Sequence, residues 1–372
     1  MQGATIEGTV VKDTPNNTND SDQDNSVGVG VYYPSGNVTI RDCEITNTGY
    51  RGIESSGSDV TVKDLETEDI RERHISPSAL RFDGRLTQNM TIENVTMRKG
   101  NGSDVGSHIS AHGSDYAGST FQNPQGEALT NITIEKVRCY GPKRAGLSLR
   151  QLGAGDGPIH IENVWIEDAA NDGIAITDGP DYRTANPDVA QEIDVSVEDI
   201  TIETADARGI NIDTIDGVSV EDATVNNSGA EGIAVDGCPN ATVSKCVVKN
   251  ASVGVYANSA SVTTIQSCTT ITTEESGIRA SFGDDTGEDV TIANCTVKAP
   301  NQGSFRAFGI DANATRTKIV GCTIRAGPNT DIGISFGGDE YLADGNIIKG
   351  YASSATSERV NGISGTVGAN ET

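Results

Sequence analysis

Asp83, His112 and Arg150 are the residues of this chain best suited to move a proton on an anionic substrate. An imidazole is the side chain that gains or loses a proton near neutral pH. A guanidinium pairs with a carboxylate through two parallel hydrogen bonds. A carboxylate beside the imidazole can orient it or act as the second acid–base group. Asp178 completes this catalytic set. Arg81, Arg85, Lys143, Arg144, Tyr116, Tyr182 and Arg183 supply the cations and rings that would hold such a substrate. Asp178, Asp181 and Asp213 offer carboxylate oxygens to Ca2+, although no ligand spacing enforces that site. Charge selects the same stretch. Residues 71–150 hold 11 of the 27 basic residues and 7 acids, a local +4 in a chain of −26, and three of its four histidines.

A repeat is what must position these residues. A Gly-aliphatic step recurs at Gly52-Ile53, Gly146-Leu147, Gly173-Ile174, Gly209-Ile210, Gly232-Ile233, Gly254-Val255, Gly277-Ile278, Gly309-Ile310, Gly333-Ile334 and Gly362-Ile363. Ala79 and Ser107 are read as filling the Gly slot in two further coils. The second half of each unit alternates apolar and polar residues, as in Val38-Thr39-Ile40-Arg41-Asp42-Cys43 and Met90-Thr91-Ile92-Glu93-Asn94-Val95. Alternation with period two describes a strand with one buried face. Short strands, polar turns and a spacing of 22 to 24 residues describe one turn of a strand solenoid. About twelve such coils stack roughly 4.8 Å apart.

This pattern resembles the right-handed parallel β-helix of the pectate-lyase superfamily, over roughly residues 28–368. The resemblance implies an all-β fold: residues 1–27 a partial first coil and polar loop, 28–368 the solenoid, 369–372 a tail. It does not imply one activity, because this scaffold hosts lyases, hydrolases, epimerases, adhesins and tailspikes. His112-Gly113 matches part of the Gly-His-Gly element of polygalacturonases, but their other elements are missing in the required order. The Asp-Pro-His-Asp element of mannuronan epimerases is also absent.

Stacking turns spacing into geometry. Aligning Leu80, Ile109, Leu147, Ile174, Ile210 and Ile233 as inward residues places Arg81, Ser110, Ser148, Ala175, Asn211 and Ala234 outward. It also places Asp83, His112, Arg150, Thr177, Asp213 and Asp236 in a second column. Long intervals put insertions at about 69–78, 113–128 and 177–191 around that column, and one at 299–307 elsewhere. Cys43, Cys246, Cys268, Cys295 and Cys322 share a slot with Leu65, Val95, Val137, Val164, Ile200 and Ala223, so they read as buried free thiols.

Composition narrows the function. A charge of −26 argues against nucleic acid as partner. No apolar run reaches the length of a membrane span. Ten Lys against 17 Arg, with 31 Asp and 22 Glu, is the balance of a protein kept soluble in concentrated salt, or of an acidic secreted protein. The reading is an extracellular or cell-surface lyase or epimerase acting on a uronate-containing polysaccharide. A non-catalytic glycan-binding or structural module, tailspike-like, is the first alternative. An inverting glycoside hydrolase is the second, with two carboxyl groups roughly 6.5–9.5 Å apart. Uncovered end coils invite end-to-end pairing, so a covering partner or further segment is expected at the N-terminus.

Overall fold

The computed structural model describes residues 2–14, 27–32, 35–49, 51–71, 73–77, 86–100, 107–112, 128–153, 155–178, 191–259, 261–281, 287–298, 300, 307–325, 330–337, 340–350, 358–360 and 365–367. The side chains of His112, Asp178 and a few other strand-end residues lie outside that description. Among the described residues all regular structure is β-strand. The chain divides into two compact units, Met1–Ser196 and Val197–Thr372.

In the first unit two parallel ladders alternate along the chain. Long strands Gly36–Thr48, Ser58–Ile70, Gln88–Gly100, Thr130–Tyr140 and Ile159–Glu167 pair in sequence order. Gln2–Glu7 and Val10–Thr14 pair side by side with Gly36–Thr48. Short strands Val27–Val31, Arg51–Ser55, Arg73–Ser76, Ser107–His112, Leu147–Leu152 and Ile174–Asp178 form the other ladder. Strands that recur every coil and pair only in parallel make a β-helix. Its thin core is built from Ile, Val and Leu of both ladders.

Each long strand turns a corner in its middle. Asp42, Asp64, Asn94, Lys136 and Asn163 stand there with φ of 51–53°. Asn and Asp tolerate this left-handed conformation because their short polar side chains bond locally. The corner interrupts the alternation, so residues on both sides of it face inward, such as Ile40 and Cys43. Corner side chains bond from coil to coil: Asn94 Nδ2 donates to Asp64 Oδ1 at 2.7 Å, and Asn89 Nδ2 to Asp59 Oδ1 at 2.9 Å. Much of the Asn and Asp content is therefore a requirement of the corners.

The second unit repeats the plan. Its short ladder runs through Ile210–Asp213, Glu231–Asp236, Val253–Asn258, Ser276–Ala280, Ala307–Ala312 and Thr330–Phe336. Cys246, Cys268, Cys295 and Cys322 follow the corner of successive coils, and all seven cysteines are buried and free. Each of these four thiols reaches two backbone carbonyls. Cys246 Sγ lies 3.1 Å from Ser244 O, and Cys295 Sγ 3.4 Å from Ala293 O. Asn346 takes the same slot one coil after Cys322, donating Nδ2 to Ile319 O at 3.0 Å and accepting from Cys322 N at 2.9 Å. The slot thus wants a small donor, which a purely apolar reading of cysteine overlooks.

The Gly slot is tight. A Cβ on Gly232 would stand 2.2 Å from Val248 Cγ1, and one on Gly146 would stand 2.7 Å from Ile166 Cδ1. Two coils break this rule and correct the alignment drawn from sequence. Ile75, not Leu80, pairs with Ile53 and Ile109, so His74 and His108 fill the Gly slot in place of Ala79 and Ser107. A search for small residues passes over a slot filled by two imidazoles. Their rings pack inside the core with centroids 4.3 Å apart and planes tilted by 52°.

Candidate functional site

Correcting the register changes the column. Ser76, adjacent to Ile75, is level with Glu54, and Ser110 is level with Ser148. The inward place given to Leu80 by the sequence alignment belongs to Ile75. Arg81, Asp83 and Arg85 themselves lie outside the described residues, as do Tyr116, Asp181, Tyr182 and Arg183 and most of the insertions at 113–128 and 177–191.

The pairing of His112 with Arg150 is present. The two stand level on neighbouring strands, Ser107–His112 and Leu147–Leu152. Thr177 is level with Arg150 on the next strand. A bulge between Arg150 and Leu152 places Asp178 level with Leu152. Gln151, at φ 56°, forms that bulge, a device that re-aims side chains beside a site. Arg150 Nε donates to Ser148 Oγ at 2.9 Å, which holds the guanidinium along the outer face. Glu54, Ser76, Ser110 and Ser148 alternate with inward aliphatics and so belong to that outer face, yet all four are buried. The face is covered, and charges on it interact more strongly than in open water.

Glu54 is bound on both sides. Arg51 pairs with it, and Tyr32 Oη donates to its Oε2 at 3.1 Å. In the core, Thr67 Oγ1 and His74 Nδ1 share a hydrogen bond of 2.5 Å. Burial lowers the His74 ring to about 3, against a small upward pull from the Lys99 backbone. Burial, and then the neighbouring His74, lower His108 as well. Neither ring nitrogen of His108 has a hydrogen-bond partner. Both imidazoles are neutral interior groups, so two of the three histidines in the basic stretch belong to the core.

Lys143 and Arg144 are exposed on the turn before Leu147–Leu152. A strand rises about 3.3 Å per residue, so Arg150 stands at the far end of that strand from them. They do not join it in one subsite. Asp213 accepts a hydrogen bond from Thr214 Oγ1 at 2.7 Å and is level with Asp236. Among the described residues no three His, Cys, Asp or Glu side chains could hold a metal ion.

Sequence reasoning missed a second polar cluster, on the short ladder of the second unit. Ala234, Tyr256, Arg279, Asp311 and Ser335 form one column. Arg279 pairs with Glu275 at 3.1 Å and Asp311 at 3.5 Å, with its side chain 11% exposed. Burial raises the Asp311 carboxyl, and burial followed by Asp236 pushes the Tyr256 hydroxyl up to about 12. Extending the column alignment past Ile233 would have found it.

The class that these ladders define is matched directly. The chain belongs to the right-handed β-helix family, whose description fits residues 7–189 and 188–348. The β-helix is accordingly right-handed. No curated protein matches the chain by sequence. Among solved structures, the A-module of the Azotobacter vinelandii mannuronan C-5 epimerase AlgE4 is 18% identical, with a TM-score of 0.60, covering 90% of this chain and 91% of that one. A mannuronic acid specific polysaccharide family 6 lyase from human gut microbiota is 10% identical, with a TM-score of 0.62, covering 99% and 86%. The bacteriophage CBA120 tailspike protein 3 is 8% identical, with a TM-score of 0.52, covering 97% and 51%. At such identities the likeness is one of fold. No helix among the described residues is long and apolar enough to cross a membrane.

Proposed function

We propose that the protein acts on a uronate-containing polysaccharide, as a lyase or epimerase, outside the cell or at its surface. The observation that carries this reading is the register that sets His112 level with Arg150, two residues beyond the buried pair Ser110 and Ser148. Structural neighbours that are a mannuronan epimerase and a mannuronic acid lyase support the choice of polymer. Arg150 pairs with the uronate carboxylate and withdraws charge from it, which acidifies the adjacent C5 proton. His112 takes that proton. The electron pair left at C5 spreads into the carboxylate. It is then either reprotonated at C5 from the opposite face or used to expel the glycosidic oxygen from C4, which leaves a C4–C5 double bond. Asp178, at the end of the next strand, is assigned the return of a proton.

Product analysis on mannuronan, alginate and polygalacturonate tests it. Turnover that falls by about 100-fold or more in His112→Ala is expected for a lost general base, with a comparable loss in Arg150→Ala. Unchanged turnover in both variants overturns the assignment. The second reading is a glycan-binding module without turnover. The likeness of fold to a bacteriophage tailspike supports it. Binding of the polymer by the parent protein without any product selects it.

A further inference from the structure

The outer face of the long ladder in the first unit carries a cluster of another kind. Outward residues of Gln88–Gly100, Thr130–Tyr140 and Ile159–Glu167 stack in two columns. Thr96, Arg138 and Trp165 form one; Arg98, Tyr140 and Glu167 form the other. Trp165 is the only tryptophan of the chain, and it is 37% exposed. The Arg98 guanidinium lies over the Tyr140 ring, 4.7 Å from its centre. Arg98, Lys99 and Arg138 are exposed, and Lys143 and Arg144 follow on the turn after Tyr140.

Exposed cations gather on this face and the turn that follows it. Arg41, Lys136, Arg208, Lys245 and Arg316 each reach a carboxylate on a neighbouring coil. Arg98, Lys99, Arg138, Lys143 and Arg144 make no ion pair with a described carboxylate, although Glu68 is level with Arg98. Five cations without a described carboxylate partner in a chain of −26, beside the exposed Trp165 ring and the half-buried Tyr140 ring, fit a ligand that brings both an apolar face and negative charge. A uronate sugar has both: C–H bonds on its ring face and a carboxylate at its edge. Nucleic acid is the poorer match. Its duplex carries a charge every ~1.7 Å, which the acidic chain repels more strongly than one carboxylate per sugar.

We propose that this face is a second binding site, taking an acidic oligosaccharide that runs along the coil axis. Trp165 and Tyr140 stack against sugar rings, and Arg138 and Arg98 take carboxylates, with Lys99, Lys143 and Arg144 at the rim. Coils repeat every ~4.8 Å, close to the advance of one sugar unit, so rows 98, 138–140 and 165 address successive residues of one chain. The site lies on a different ladder from His112 and Arg150 and would retain a long polymer between events there. The choice of uronate rests on the functional reading above.

Because Trp165 is the only tryptophan, its fluorescence reports on this face alone. Mannuronan oligosaccharides titrated into the full chain should change its emission saturably, and neutral cello-oligosaccharides should not. Arg138→Gln should weaken the apparent affinity about tenfold or more, the loss of one charge-assisted hydrogen bond. Arg98→Gln is the second variant should the first fail to fold. Arg150→Ala should leave the titration unchanged. The proposal is overturned if emission stays constant while calorimetry shows the oligosaccharide bound. It is equally overturned if the neutral sugar or a DNA duplex gives the same change, or if neither Gln variant weakens binding. A saturable change at Trp165 without turnover by the parent would remove the catalytic reading and leave this site standing.

Discussion

Acid should open the first unit at the coils that carry His74 and His108. In an unfolded chain a histidine takes up its proton near pH 6.5. Folded, His74 holds out to about 3, and His108 is also lowered. The unfolded state therefore binds more protons over this range. The stability is fully present above pH 6.5 and is lost as pH falls towards 3. Each ring that stays neutral contributes a slope of about 1.4 kcal/mol per pH unit. Between pH 6.5 and 4.5 that is roughly 2.3 kcal/mol for His74, a large share of the stability of many domains, and His108 acts in the same direction. Hydrogen exchange of Arg73–Ser76 and Ser107–His112, corrected for the intrinsic rate at each pH, measures it. Repeat proteins open locally, so the loss should concentrate in these strands, while Glu231–Asp236 serves as control. A double variant, His74→Leu with His108→Leu, replaces the rings at similar volume and should flatten the pH dependence. It also separates their contribution from carboxylates such as Glu54. The same pH slope in variant and parent, or an equal loss in the control strand, would refute the reasoning.

Other consequences are open to direct measurement. Gly232→Ala should destabilise the second unit by about 1–3 kcal/mol through overpacking against Val248, and Val248→Ala should restore part of it in a urea titration. Asn346→Leu strands the Cys322 N–H and the Ile319 carbonyl, so a loss of about 2 kcal/mol or more is expected. Cys295→Ser keeps a donor for the carbonyls and should cost less than Cys295→Val, whose β-branched side chain has none, in the same titration. The buried thiols, among them Cys238 pushed up to about 12 by burial, should react with a labelling reagent only in denaturant; rapid labelling of the folded protein would contradict the packing.

The fold was legible because a solenoid writes its geometry into a period. Gly before an aliphatic residue, alternation over short strands, and Asn or Asp at many corners are local demands that recur from coil to coil, so chain order alone supplied the stacking. The cysteine slot was legible for the same reason, though its hydrogen bonds to backbone carbonyls were not. The tertiary structure decided what the repeat could not. Which residue fills the Gly slot depends on what faces it across the core, and there His74 and His108 replace a glycine, with His74 bonded to Thr67. That substitution hid the register of one coil, where Ile75 and not Leu80 is the inward residue, while His112 and Arg150 stand level although His108 fills the Gly slot of that strand. The stacking of Arg98 on Tyr140 beside Arg138 and Trp165 was likewise hidden. From Arg98 to Trp165 these residues span 67 positions of the chain, and only the pairing of three coils makes them neighbours.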